Sequence, residues 1–142
     1  MRGMEKAKNI LEERNLSLVI LKRGEIIFES ESRGVQGLLD AIEDDSIDVE
    51  GTSVADRVVG RGAAFLLAYM GVDSLFGEVI SKPAMDVLEE NNIRYDSEEV
   101  VKNIQNRDGS DICPFEKLTS DIDDPEIAYR EIKELAASFS DG

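Results

Sequence analysis

The residues of this 142-residue chain that could do chemistry are few, and each sits in a short motif. Cys113 is the only cysteine, and it precedes Pro114. A Cys at the mouth of a helix whose first position is Pro faces the positive end of the helix dipole, which favours thiolate. Asp108, Asp111 and Glu116 crowd the same stretch and oppose that charge unless Arg107 or Lys117 offsets them. In a cysteine-dependent enzyme or sulfur carrier, Cys113 would be the nucleophile or persulfide site, and Asp108 or Arg107 would orient the substrate. The plainer reading is a buried apolar thiol, the usual environment of a free Cys.

A second motif is cationic. From residue 51 to 72 one acid, Asp56, stands against two bases, Arg57 and Arg61, in a chain of net charge −15. On one helix the i, i+4 spacing places both guanidiniums on a shared face, and Gly60 and Gly62 let a ligand or a neighbouring strand approach the backbone. A small phosphate or carboxylate could rest there. The alternative pairs both arginines with the acidic residues 43–50 and leaves the glycines to helix packing. Ser81 and Lys82 lie before Pro83, where Ser is the expected helix N-cap. Adjacent helical residues do not face each other, which argues against a Ser–Lys nucleophile pair. Arg57, Gly60, Arg61, Ser81, Lys82 and Arg107 are therefore the candidates for holding a ligand. Asp108 and Asp111 are the best-placed carboxylates for acid–base work, but their loop lacks the other ligands of a calcium-binding loop. No metal ligand set is expected.

The rest of the inventory removes most chemistries. There is no histidine and one cysteine, which excludes Ser-His-Asp and Cys-His catalysis, His-ligated zinc, Cys-cluster metal sites and an intrachain disulfide. Thirty-one acidic residues against sixteen basic ones repel phosphate backbones and anionic lipid, so neither nucleic acid nor a membrane is an expected partner. The most apolar run, Ala63–Met70, is far shorter than the roughly 20 residues that span a bilayer. The N-terminal residues lack the apolar core of a secretory signal, and the unpaired thiol suits a reducing compartment, so a cytoplasmic location is expected. The length fits one domain, residues 1–142, and 42% hydrophobic residues suffice for a core.

The elements that must position these groups follow from periodicity. Met4, Ala7 and Leu11 predict a helix over about 4–14, closed at Asn15. Residues 16–21 and 26–28 read as a hairpin, with Gly24 supplying positive φ in its turn. A short helix over 35–42 and a solvated, mobile acidic linker over 43–50 follow. From Ser53 to Met70 apolar residues lie all round, the pattern of one central helix buried against a sheet and stopped by Gly71. Residues 75–80, 83–91 and 93–95 read as strand, helix and strand, a parallel βαβ unit. Residues 98–105 read as a helix on Val100, Val101 and Ile104, and a turn falls at Asp108–Gly109. Asp124 and Pro125 open a last helix whose inner face is Ala128, Ile132, Leu135 and Phe139. The exposed edge of the hairpin could pair with a second copy, so a homodimer is an expectation.

The order helix, hairpin, helix, strand, helix, strand resembles the cytidine deaminase-like superfamily. Residues 58–64 and 71–88 are similar to its two-helix metal core, in which His (or Cys)-x-Glu opens one helix and Pro-Cys-x-x-Cys the next. Aligned on that core, the His position falls on Val58, the Glu on Gly60 and the two Cys on Ala84 and Val87, with Pro83 in place. None of these can bind zinc or activate water. The chain resembles more closely one zinc-less branch, the domain-of-unknown-function family 1893, through residues 16–21, 58–61, 78–82 and 106–116. The resemblance implies an α/β, three-layer cytidine deaminase-like fold: a four- or five-stranded mixed sheet, an N-terminal hairpin plus a parallel βαβ, flanked by helices. A fifth strand is not evident after Tyr95 unless it lies near Ile112. It implies no reaction and no cofactor. The leading expectation is a small-ligand-binding domain without zinc. Its apolar, Gly-lined cavity would lie beside Arg57 and Arg61 and take an anionic or nucleotide-like molecule, with Cys113 lining the same cleft. A cysteine-dependent enzyme or an acidic interaction protein are the alternatives.

Overall fold

The structure, a computed structural model, describes residues 2–32, 34–106 and 109–140. Helix α1 (Arg2–Glu13) ends where Asn15 turns to φ 54°. Strands β1 (Leu18–Lys22) and β2 (Glu25–Ser30) form the expected antiparallel hairpin. Its turn has positive φ at both Arg23 and Gly24, the geometry whose twist matches that of paired strands. Helix α2 (Gln36–Glu43) follows. The acidic segment after it is anchored rather than simply solvated. Asp44 accepts from Ser46, Lys22 pairs with Asp48 at 2.8 Å, and Ile47 and Val49 pack against the core.

Two expected helices are wholly or partly strands. Residues 53–70 divide into strand β3 (Ser53–Val59) and helix α3 (Arg61–Met70), with Gly60 as the N-cap between them. Strand β4 (Ser74–Ser81) and helix α4 (Lys82–Glu90) agree with expectation, as does the left-handed Gly71 that closes α3. Strand β5 (Arg94–Val101) runs through residues expected to be helical. It is an outer strand rich in Asp and Glu, so its composition favours helix while its backbone pairs with β4. Helices α5 (Pro114–Thr119) and α6 (Pro125–Ser140) complete the described chain.

The sheet has five strands in the order β2-β1-β3-β4-β5, antiparallel at the hairpin and at β1–β3, parallel from β3 to β5. The fifth strand is thus supplied by β3, not by the region of Ile112, which makes only an isolated bridge to Gln105. One face carries α1 alone, packing Met4, Ala7 and Leu11 on Val19, Leu21, Ala55 and Phe76. The other face carries the main core, where Leu18, Ile20, Val54, Leu75 and Ile80 meet residues of α2, α3, α4 and α6. The architecture is α/β with three layers. Phe139, expected on the inner face of α6, is 55% exposed and meets Phe115 edge-on. Among the described residues no helix is long and apolar enough to cross a membrane.

Candidate functional site

The three parallel strands end on one side of the sheet, at Val59, Ser81 and Val101, and α3 and α4 begin there. In sheets of this kind that end is where ligands bind, because connecting loops diverge and helix N-termini aim their N–H groups at the space between. Two cavities open at this end, of about 630 Å³ and about 400 Å³. Val58, Val79 and Val101 wall the larger one, and the loop beyond β5 closes it with Lys102, Gln105, Ser110 and Asp111. The smaller one lies between Arg61, Pro83 and α5, with Glu116, Lys117 and Ser120 on its wall. Asn103 and Ile112 line both, so the two cavities adjoin at these residues.

The loop beyond β5 is a folded wall. It doubles back through Asn106 N to Asp111 O at 2.8 Å and Cys113 N to Ile104 O at 2.8 Å, with Asn106 Oδ1 accepting from Ser110 N at 3.1 Å. Asp111 pairs with Lys117, and the hydrogen bonds from Lys117 and from the Ile112 N–H hold its carboxyl below the usual range. Cys113 is the N-cap of α5 with Pro114 in the first turn, as the sequence predicts. It is half-buried and lines neither cavity, which corrects its expected place in the cleft.

Arg57 and Arg61 do not share a face. Arg57 lies on β3 and reaches toward α1, donating to Leu16 O at 2.9 Å, Leu11 O at 3.1 Å and Glu78 Oε2 at 2.7 Å. Arg61 opens α3 and donates to Thr119 O and Ile122 O at 2.8 Å each and to Pro83 O at 3.5 Å. Its fork fastens the α5–α6 turn to the start of α3, and the residue lines the smaller cavity. Gly62 takes part in the same junction, since a Cβ there would stand 3.0 Å from Phe115 Cβ. Ser81 is fully buried and caps α4 by accepting from Ala84 N at 3.2 Å. Lys82 is exposed at the start of α4. Arg107 and Asp108, expected as ligand-binding and catalytic residues, lie outside the described residues.

The side chain that sequence reasoning missed is Glu116. It is 4% exposed, faces the smaller cavity, and accepts the Ile104 N–H on Oε1 at 2.9 Å. A Cβ on Gly60 would stand 3.1 Å from that oxygen, so the glycine is what admits the carboxylate to the start of α3. Among the described residues no hydrogen bond reaches Oε2. The available signal was the pair Gly60 and Gly62, which marks a close approach. The approaching element is α5 rather than a ligand or strand.

Zinc does not fit this site. Val58 is a half-exposed strand residue, Gly60 a helix cap, and Ala84 and Val87 buried hydrocarbon on α4, and none carries a donor. Among the described residues no group of three or more acidic, Cys or His side chains could hold a metal ion.

The chain matches the family described as Domain of unknown function (DUF1893) over residues 6–136. A DUF1893 family protein from Thermotoga maritima has a similar solved structure, with a TM-score of 0.85 and 34% identity over 94% of this chain and 89% of that one. A diaminohydroxyphosphoribosylaminopyrimidine deaminase/5-amino-6-(5-phosphoribosylamino)uracil reductase from Thermotoga maritima has a weaker structural likeness to the chain. It has a TM-score of 0.47 and 13% identity, over 83% of this chain and 39% of that one. No curated protein matches the sequence.

Proposed function

We propose a function for a chain that belongs to the DUF1893 family, a membership that defines its fold and assigns no reaction. The protein binds a small anionic molecule in the cleft at the ends of β3, β4 and β5. The observation that carries this reading is the cleft itself: two adjoining cavities, walled by apolar strand ends and convergent polar groups, set at the end of the sheet where helix N-termini gather. In a chain of net charge −15, the charged lining described is Arg61, Lys102 and Lys117 against Asp111 and Glu116.

The anion belongs in the larger cavity. Arg61 and Lys117 are engaged elsewhere, whereas Lys102 has no ion pair or hydrogen bond among the described residues. Asn103 and Gln105 add amide donors on the same wall. On the deaminase-like resemblance of the sequence, the seats of the absent metal ligands carry no donor group, which removes zinc-dependent deamination from the roles of the cleft. Calorimetric titration with inorganic phosphate tests this. The parent should bind and Lys102→Ala should bind about tenfold more weakly, the loss of roughly one charge-assisted contact. Absence of phosphate binding, or equal affinity in Lys102→Ala, contradicts the anion seat.

A further inference from the structure

We propose that Glu116 is the recognition group of the smaller cavity and takes a cationic N–H donor of the amidinium or guanidinium type. The ligand is then a zwitterion whose anion faces Lys102, and that last assignment rests on the function proposed above.

A carboxylate accepts about four hydrogen bonds. Glu116 uses one, from Ile104 N, and its Oε2 has none among the described residues although the residue is 4% exposed. Among the described residues Asp56 Oδ2 is the one buried polar side-chain atom without a partner, so Glu116 Oε2 is open to solvent in the cavity, and a charge-assisted donor from a ligand would replace water there. No cation of the cleft forms an ion pair with it among the described residues. Arg61 is spent on three carbonyls and Lys117 on Asp111, and none of the ion pairs among the described residues includes Glu116.

The carboxylate is also held in place. Ile104 N–H fixes Oε1, the absence of a side chain at Gly60 gives it room, and the Arg61 fork fastens the turn that follows α5. A fixed carboxylate between Pro83 and Ile112 suits a flat group with parallel N–H bonds, which a guanidinium matches better than a point-charge ammonium.

Amide chemical-shift titrations of the intact chain test this with three probes: methylguanidinium, tetramethylammonium and inorganic phosphate. Methylguanidinium should shift the Gly60, Ile104 and Glu116 amides saturably, and tetramethylammonium, a cation without N–H donors, should leave them in place. Glu116→Gln keeps an acceptor for Ile104 but turns an N–H₂ toward the cavity, and it should weaken methylguanidinium binding at least about tenfold. Its phosphate response at Lys102 should equal the parent's. Glu116→Asp, which keeps the charge and withdraws it by one methylene, should weaken methylguanidinium severalfold and guards against misfolding of the first variant. Equal methylguanidinium affinity in parent and variants, or an equal response to tetramethylammonium, overturns the assignment of Glu116. Phosphate that fails to bind while methylguanidinium binds in a Glu116-dependent way overturns the anion seat and the zwitterion, and leaves Glu116 as a donor site.

Discussion

Two buried carboxylates in this protein have opposite fates. Glu116 opens on a cavity, whereas Asp56 is 6% exposed inside the sheet, in register between Leu18 and Gly77, and its Oδ2 has no partner among the described residues. Burial pushes the Asp56 carboxyl up to about 7, against the opposing pull of the Arg57 and Val58 backbone N–H groups. Because the folded value lies above the model-peptide value of 3.8, the stabilising contribution is full below about 3.8 and is lost as pH rises through about 7. That interval corresponds to roughly 4 kcal/mol. Urea denaturation should therefore show the parent losing stability between about pH 4 and 7 relative to Asp56→Asn, which has no charge to desolvate. Parallel stability profiles for the two proteins would contradict this account of Asp56. Arg57 and Arg61 make a related point at the same scale: a guanidinium whose three nitrogens each donate to a carbonyl or a carboxylate is first a fastener between elements.

At the scale of elements, junctions position the cleft. Ser81 ends β4 and caps α4, so its hydroxyl is committed to the Ala84 N–H. Ser81→Ala should cost about 1–2 kcal/mol of stability, read from denaturant midpoints, and leave phosphate affinity unchanged. A loss of binding without a loss of stability would instead place Ser81 on the ligand. The same junctions explain what could be read from the sequence. The hairpin, α1, the β4–α4 junction and the Cys113–Pro114 and Asp124–Pro125 starts were legible, because each rests on local turn or cap chemistry. β3 was not. Asp56 and Arg57 interrupt its alternation, and Val58 and Val59 run without a visible break into the apolar α3, so only Gly60 marked the boundary. β5 was hidden for the opposite reason, since an exposed outer strand with Asp96, Glu98 and Glu99 has no apolar face to display a period of two. Once β3 is a strand, Arg57 and Arg61 part, and the expected cation pair dissolves. Glu116 could not be seen as a cleft residue from composition, because its burial depends on α5 folding back over Gly60 and Gly62.

For the whole molecule, the net charge of −15 sets a condition on any ligand. A simple anion approaches against that field, and its binding should strengthen as salt screens the repulsion. A zwitterion approaches without a net penalty and carries a group for each of the two adjoining cavities, at Lys102 and at Glu116. The family match covers residues 6–136, so the strands, helix starts and loop that build this cleft all lie within the shared fold. The most direct test is an amide-shift map of the chain titrated with 4-guanidinobutyrate, a small molecule that carries a guanidinium and a carboxylate. The account predicts saturable shifts confined to the start of α3, the loop beyond β5 and α5, among them Gly60, Lys102, Ile104 and Glu116. Shifts scattered over the acidic surface, or none at saturating probe, would contradict it.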